Sequence, residues 1–333
     1  MVSAFPRSGG RRAFLAVAAV LAVLGLLLWW LPPVVARPPA PGGRLTLSTG
    51  VRSGVYARYG ELLKQDLRRD LPRVDVRLMN SAGSLDNLEH LASGKAQFAI
   101  ATADAVAERQ RLHPRQAARL RACARLYDDY LQLIVPADSP VGSAKDLGKL
   151  RVGVGADGSG VQLTTRRLVA AAGLDFDHGI EAVRVGIDRM PKLLEEGKLD
   201  AFFWSGGLPT SAVQQVARRM PIRLVQLGDL IPALHRQGGR SRHYRAAVMP
   251  ADAYPLVQKG QAVRTIAVAN LLVTTDRQDP VRTEAITRTV IRSRDRIGTE
   301  VHAAQKVDLR TAVFTDPLPL HEGARRYYVS EKP

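Results

Sequence analysis

From residue 44 onward the apolar positions change period in a repeating order. Leu45 to Thr49 is a short apolar-rich run that reads as a strand, and Gly50 to Gly54 breaks it. A helix follows through Arg69, with Tyr59, Leu63 and Leu67 spaced by four on one side. Val74 to Met79 alternates as a strand. Ser84 opens a second helix carrying Leu85, Leu88 and Leu91, and Gly94 stops it. Ala96 to Ala101 is a third strand. The order restarts near Leu150. Arg151 to Val154 reads as a strand, Gly155 to Gly160 as a loop, and a helix runs to Ala172 with Gly173 as its stop. Glu181 to Val185 is a strand, a short helix runs from Ile187 to Gly197, and Leu199 to Trp204 is a strand. Pro209 opens a helix with Val213, Val216 and Met220, and Ile222 to Leu227 is a further strand. Strands alternating with helices at this spacing predict βαβ units around a parallel sheet.

The two runs echo each other. Gly50-Val-Arg-Ser53-Gly54-Val55 matches Gly155-Ala-Asp-Gly-Ser159-Gly160-Val161, and Leu91-Ala-Ser-Gly94-Lys95-Ala-Gln97 matches Leu194-Glu-Glu-Gly197-Lys198-Leu-Asp200. The offsets are 103 to 106 residues, too long for a solenoid and suited to two lobes of similar build. Beyond them, His243 to Met249 and Val263 to Thr274 are strand-like. Asp279-Pro280 starts a long helix with Ile286, Val290 and Ile297 in one sector, and a tail with few apolar residues follows. The expected division is residues 44–131 for the first lobe, 132–244 for the second, and 245–333 as a return to the first. The chain is expected to cross between lobes near Tyr130 to Pro136 and near His243 to Pro250.

The N-terminus has a different pattern. Ala13 to Leu31 is 19 residues without a charge, preceded by Arg7, Arg11 and Arg12 and ended by Pro32 and Pro33. That length just spans a bilayer as a helix, and Trp29 and Trp30 sit where indole rings prefer the interface. Residues 1–36 therefore read as an uncleaved anchor, with a cleaved signal peptide as the alternative, near Val34 and Ala36. Gly10-Arg11-Arg12-Ala13-Phe14-Leu15 also resembles a twin-arginine export signal. The positive flank stays in the cytoplasm. The rest of the chain, after a linker over residues 37–43, is expected outside, tethered to the inner membrane by residues 13–31.

Composition narrows the classes. With 333 residues and 46% apolar content the chain is long enough for one large or two ordinary domains. The single cysteine, Cys123, excludes an internal disulfide and thiolate zinc sites; a small buried side chain is its expected role. The net charge is +17, and residues 37–333 keep 45 basic against 31 acidic residues. No block of like charge is long enough for a nucleic-acid tail, and export argues against nucleic acid as a partner.

The loops between strand and helix are the candidate chemistry. Each lobe places a Gly/Ser loop before a helix start, where backbone N–H groups and the positive helix end face outward. Two such loops across a cleft suit a small ligand with one or more carboxylates. The alternative is that Ser53 and Ser159 are only N-caps. Asn80-Ser81-Ala82-Gly83-Ser84 is a third polar loop, with Ser84 as an N-cap and Asn87 one turn in, or else a plain turn. Gly153-Val-Gly155-Ala-Asp-Gly158 also fits a dinucleotide fingerprint, with Asp175 and Asp177 near the distance of a ribose acid. Those acids precede the next strand rather than ending it, which argues against this reading. No Gly-x-Ser-x-Gly elbow, metal-ligand spacing or cysteine–histidine pair is evident. No catalytic group, cofactor or metal is expected.

The stretch from Leu45 to about Trp204 resembles the TAXI family of solute receptors of TRAP transporters. The matching segments are Ser48-Thr49-Gly50-Val-Arg-Ser-Gly54-Val-Tyr56, Ser81-Ala-Gly83-Ser84-Leu-Asp-Asn87-Leu88, Leu91-Ala-Ser-Gly94 and Asp146-Leu147-Gly148-Lys149-Leu-Arg-Val152-Gly153-Val-Gly155. Gly158-Ser159-Gly160, Gly197-Lys198-Leu-Asp200-Ala201-Phe202-Phe203 and Gly206-Gly207-Leu-Pro209 complete the series. Gln97 and Val161 depart from residues common in the family. The resemblance implies a two-lobed, hinged α/β fold of the periplasmic-binding-protein type II. It implies a non-enzymatic, periplasmic receptor for a small carboxylate, glutamate-like or dicarboxylic, delivered to a TRAP permease. Ligand contacts would fall on Gly50, Ser53, Gly54 and Tyr56, on Ser81, Gly83 and Ser84, and on Gly158, Ser159 and Gly160, joined by Trp204, Ser205 and Gly206. A membrane-anchored sensor built on the same lobes, or a nucleotide-dependent enzyme using the Gly153/Gly155/Gly158 loop, are the alternatives.

Overall fold

Short apolar strands need neighbours on both sides, and the chain supplies them from distant segments. A computed structural model describes residues 41–301, 304 and 308–331. The expected anchor at 13–31 lies outside the described residues, among which no helix is long and apolar enough to cross a membrane. The first run forms β1 (Gly43–Ser48), α1 (Val55–Asp70), β2 (Val74–Met79), α2 (Ser84–Ala92), β3 (Phe98–Thr102) and α3 (Ala103–Leu112). Strand β1 pairs in parallel with β2 from Gly43↔Val74 to Ser48↔Met79, and with β3 at Leu47↔Phe98. Helix α1 buries Tyr59, Leu62, Leu63 and Leu67 against them.

Next comes β4 (Leu120–Pro136), then β5 (Arg151–Gly153), α4 (Gly160–Ala171), β6 (Glu181–Val183), α5 (Met190–Glu195), β7 (Ala201–Gly206), α6 (Ser211–Arg219) and β8 (Ile222–Val225). Strand β5 is parallel to both β6 and β7. The chain closes with β9 (Tyr244–Met249), β10 (Val263–Thr275), α7 (Pro280–Arg292), α8 (Arg294–Gly298) and α9 (Glu322–Ser330). The described strands join one sheet in the order β2-β1-β3-β10-β4-β7-β5-β6, with β8 on β4 and β9 on β10.

The antiparallel pair β4–β10 ties two halves together. Leu126 and Tyr127 of β4 and Leu272 of β10 pack in the core under α1. Leu131 and Leu133 of β4 and Ile266 and Val268 of β10 pack in the core under α4. Each strand therefore changes core within a few residues of Asp129 and Ala269.

Several expectations change. The long β4 is hidden in the sequence because Arg121, Arg125, Asp128 and Asp129 interrupt its apolar run. The return to the first half at residue 245 comes later: β9 pairs with Val263–Val268, and Tyr244 and Met249 pack in the second half. At ~3.3 Å per residue a strand as long as β10 reaches through both halves, so it alone makes the return. Helix α6 starts at Ser211 with Thr210 as N-cap, not at Pro209. The expected polar tail carries α9, whose Ala324, Tyr327 and Tyr328 return at i, i+3 and i+4 to the first core. Cys123 is fully buried as expected, beneath the Tyr328 hydroxyl that donates to its carbonyl oxygen at 3.1 Å.

Candidate functional site

Three helices begin at one cavity. Gly54, Val55 and Tyr56 open α1, Gly83 and Ser84 open α2, and Ser159, Gly160 and Val161 open α4, and all eight line it. First-turn amides have no carbonyl one turn back, and the aligned peptide dipoles place partial positive charge there. The cavity has a volume of about 60 Å³, several times what one water needs. Val51, Ile187 and Trp204 add apolar walls, and Ser205 and Gly206 of β7 form another side.

The α2 and α4 openings touch across the cleft. A Cβ built on Gly83, whose φ is +136°, would lie 3.4 Å from the Gly160 amide nitrogen. One on Gly160 would lie 3.0 Å from Ser84 Oγ. The Asp86 amide donates to the Gly158 carbonyl at 3.2 Å. Ser53 donates to the Asp188 carboxylate.

The floor is a directed hydrogen-bond chain. The Thr102 amide donates to Ser84 Oγ at 3.2 Å, and Ser84 Oγ lies 3.1 Å from the Tyr56 hydroxyl. Tyr56 donates to Asn270 Oδ1, and Asn270 Nδ2 donates to Asp129 Oδ1 at 2.7 Å. Ser205 Oγ donates to Asp129 Oδ2 at 3.4 Å. Asp129 is 3% exposed, and both partners are neutral. Burial pushes its carboxyl up to about 7, against the pull of the two hydrogen bonds, with Asp128 and Asp104 adding to the rise. Among the described residues that line the cavity, only Asp129 carries a formal charge.

A second network joins the halves beside the cleft. Asp104, fully buried on α3, accepts from the Tyr244 hydroxyl at 2.6 Å and from Thr164 Oγ1 at 3.3 Å. Arg167 of α4 lies 3.7 Å from Asp104 and 2.9 Å from Glu108. Burial raises the Glu108 carboxyl, but Arg111 and Arg167 outweigh it and hold the group low.

A family model described as the NMT1-like family matches residues 47–331, nearly all of the described chain. The chain belongs to the NMT1-like family. Two solved structures with TM-scores of 0.52 and 0.50 carry the fold, and a third is similar. A protein from Bordetella bronchiseptica RB50 is 16% identical, with a TM-score of 0.52 over 87% of this chain and 90% of that one. An ancestral arginine-binding protein solved with arginine is 13% identical, with a TM-score of 0.50 over 78% of this chain and 98% of that one. The periplasmic aliphatic sulphonate binding protein SsuA from Escherichia coli is 14% identical, with a TM-score of 0.47 over 88% and 84%. The fold is the α/β periplasmic-binding-protein type.

In this NMT1-like chain ten of the thirteen residues expected at a ligand line the cavity together: Gly50, Gly54, Tyr56, Gly83, Ser84, Ser159, Gly160, Trp204, Ser205 and Gly206. Ser53, Ser81 and Gly158 are not among its lining residues. The Ser53 hydroxyl is turned to Asp188. Ser81 donates to the Thr49 carbonyl at 3.0 Å and accepts from the Gly83 amide at 3.0 Å, which shapes the loop. Gly158 supports the turn with φ +78°. Ser84 is not the N-cap of α2, which is Gly83. Ser159 is the N-cap of α4, accepting from the Gln162 amide at 3.1 Å. Asn87 lies buried behind the cleft, donating to the Ile100 carbonyl at 2.7 Å and accepting from Ser48 Oγ at 2.6 Å. Thr102 and Asp129 were missed because neither sits in a Gly/Ser loop. Their strands reach the cavity only in the folded sheet. The dinucleotide alternative loses its acid: Asp175 accepts from the Asp177 and His178 amides, and the residue that follows β6 is Arg184.

Proposed function

We propose that the protein is an extracytoplasmic solute receptor of the TAXI type. It holds a small carboxylate between two hinged lobes and delivers it to a TRAP permease. The cavity ringed by three helix N-termini carries this reading, because such ends stabilise an anion without a cationic side chain. The lobes follow the two cores, with the hinge in β4 and β10. The ligand contacts are the ten expected residues that line the cavity. Opening separates the α2 start from the α4 start, and the ligand favours the closed form by touching both. The N-terminal segment anchors the receptor on the outer face of the inner membrane, near its permease. In this reading the protein makes and breaks no bond, and the hydroxyl and carboxylate that meet in the cavity, Ser205 and Asp129, serve to hold the ligand.

The test is a titration of residues 37–333 with glutamate, glutamine, C4 and C5 dicarboxylates, and NAD. Melting temperature and Trp204 fluorescence are followed together. Saturation by one carboxylate with a raised melting temperature is the expected result. A response to NAD alone would reject the receptor.

A further inference from the structure

The cavity has an anion-binding rim and an acidic floor. The α1, α2 and α4 openings face it with their N-terminal turns and the partial positive charge gathered there, although the Asp86 and Gln162 amides are engaged by the Gly158 carbonyl and Ser159 Oγ. Asp129 faces it from β4, buried and held only by Asn270 and Ser205. No Lys, Arg or His is among the described lining residues, although the chain carries 48 Lys and Arg. A ligand with two carboxylates would bring its second charge into walls with no cation and one acid. A ligand with a single carboxylate and no positive group would leave Asp129 uncompensated. Between rim and floor the walls are apolar: Val51, Val55, Val161, Ile187 and Trp204.

We infer that the cleft takes an amino acid with an apolar side chain, its carboxylate at the helix openings and its ammonium on Asp129. This rests on the receptor reading and names its ligand class. An ammonium supplies the charge partner that Asp129 lacks, and a carboxylate buried beside a cation stays ionised. The cleft without ligand holds Asp129 partly protonated at neutral pH, since its carboxyl is pushed up to about 7. Binding an ammonium there expels the proton. The ionisable groups around Asp129 are Tyr56 from α1, Tyr127 on its own strand, Asp104 from α3 and Asp128. Asp128 is engaged by Arg125 at 2.7 Å and by Arg245. Both tyrosines are driven well above their usual range by burial. Asp129 itself changes charge near neutrality.

The experiment is calorimetry on the full chain at pH 7, in two buffers of different ionisation enthalpy. The probes are L-valine, L-leucine, their des-amino analogues 3-methylbutanoate and 4-methylpentanoate, and glutarate. The expected result is binding of an amino acid at least about 30-fold tighter than its des-amino analogue, the usual worth of a buried charged hydrogen bond. A fraction of a proton should be released per ligand at pH 7, and less as the pH is raised, as partial protonation of Asp129 requires. Asp129→Asn should remove both the preference and the proton release while melting cooperatively. The proton count reads the unaltered chain, so a variant that fails to fold does not remove the test. If glutarate or a des-amino acid binds as tightly as the amino acid, the inference is overturned and the receptor stands. The same follows if Asp129→Asn keeps the preference. If no probe in this set or in the carboxylate panel binds, the receptor reading falls, and the inference with it.

Discussion

Arg167→Met tests whether the network beside the cleft acts on closure or on folding. The guanidinium lies 2.9 Å from Glu108 and 3.7 Å from the fully buried Asp104, and it is the cation that faces both from α4. Methionine keeps most of the stem and leaves Asp104 against one neutral hydroxyl pair, while Glu108 keeps Arg111 at 2.7 Å. Removing one partner of a buried pair costs about 3 to 5 kcal/mol. Glu108 is near the edge, so the lower figure of about 3 kcal/mol applies. Because the network spans α3 and α4, opening the cleft returns both acids to water. The cost then falls on the closed form, shifting the closed-to-open ratio by about 100-fold. If it fell on the fold instead, about 290 residues at ~2.1 cal/mol/K each would lower Tm by about 5 °C. A chain beginning at residue 37 has Trp204 as its only tryptophan, 9% exposed and donating to Thr210 Oγ1 at 3.0 Å. The expected outcome is faster iodide quenching of Trp204 and a larger radius of gyration by X-ray scattering, with Tm lowered by less than about 2 °C. A Tm drop near 5 °C with unchanged quenching and radius would refute the reasoning.

Asn87→Ala should cost about 1 to 3 kcal/mol of folding stability, because it removes the buried hydrogen bonds to Ser48 Oγ and to the Thr49 and Ile100 carbonyls, of which Ser48 keeps His90 and Thr49 keeps Ser81; urea denaturation reads this directly. Asp129 contributes a pH dependence of known sign. Its folded carboxyl lies above the unfolded value of 3.8, so the stability it contributes is full below pH 3.8 and is lost as pH rises to about 7. The difference is on the order of 4 kcal/mol in the unliganded protein, and Asp129→Asn should flatten the stability–pH curve over that window. Burial pushes the Cys123 thiol up to about 12, opposed by a hydrogen bond from Thr287. The native protein should leave Ellman's reagent unreacted, and guanidinium should release one thiol per chain.

The local order of strand, loop and helix was legible because each element repeats its own period within a few residues. Strand β2 begins at Val74 and α2 at Ser84, as expected, because alternation and a glycine-bounded turn are local signals. The Gly/Ser loops were legible as a candidate site for the same reason. Strand β4 was not, because its two ends face different cores and its charges interrupt any single period. Helix α9 was hidden because Glu322, Arg325, Arg326 and Ser330 surround its buried Ala324, Tyr327 and Tyr328.

By itself the sequence determined the strand, loop and helix order of the two repeated runs and which of their helices open on glycine and serine. Those choices follow from backbone sterics and side-chain periodicity over one or two turns. The tertiary structure alone decided that β10 returns between β3 and β4, that Ser53 and Ser81 are spent on Asp188 and Thr49, and that Asp129 faces the cavity. Strand pairing across 137 to 155 residues and the burial of one acid among neutral partners depend on contacts that no local pattern encodes. The site's charge is therefore set by the fold, although its loops are written in the chain.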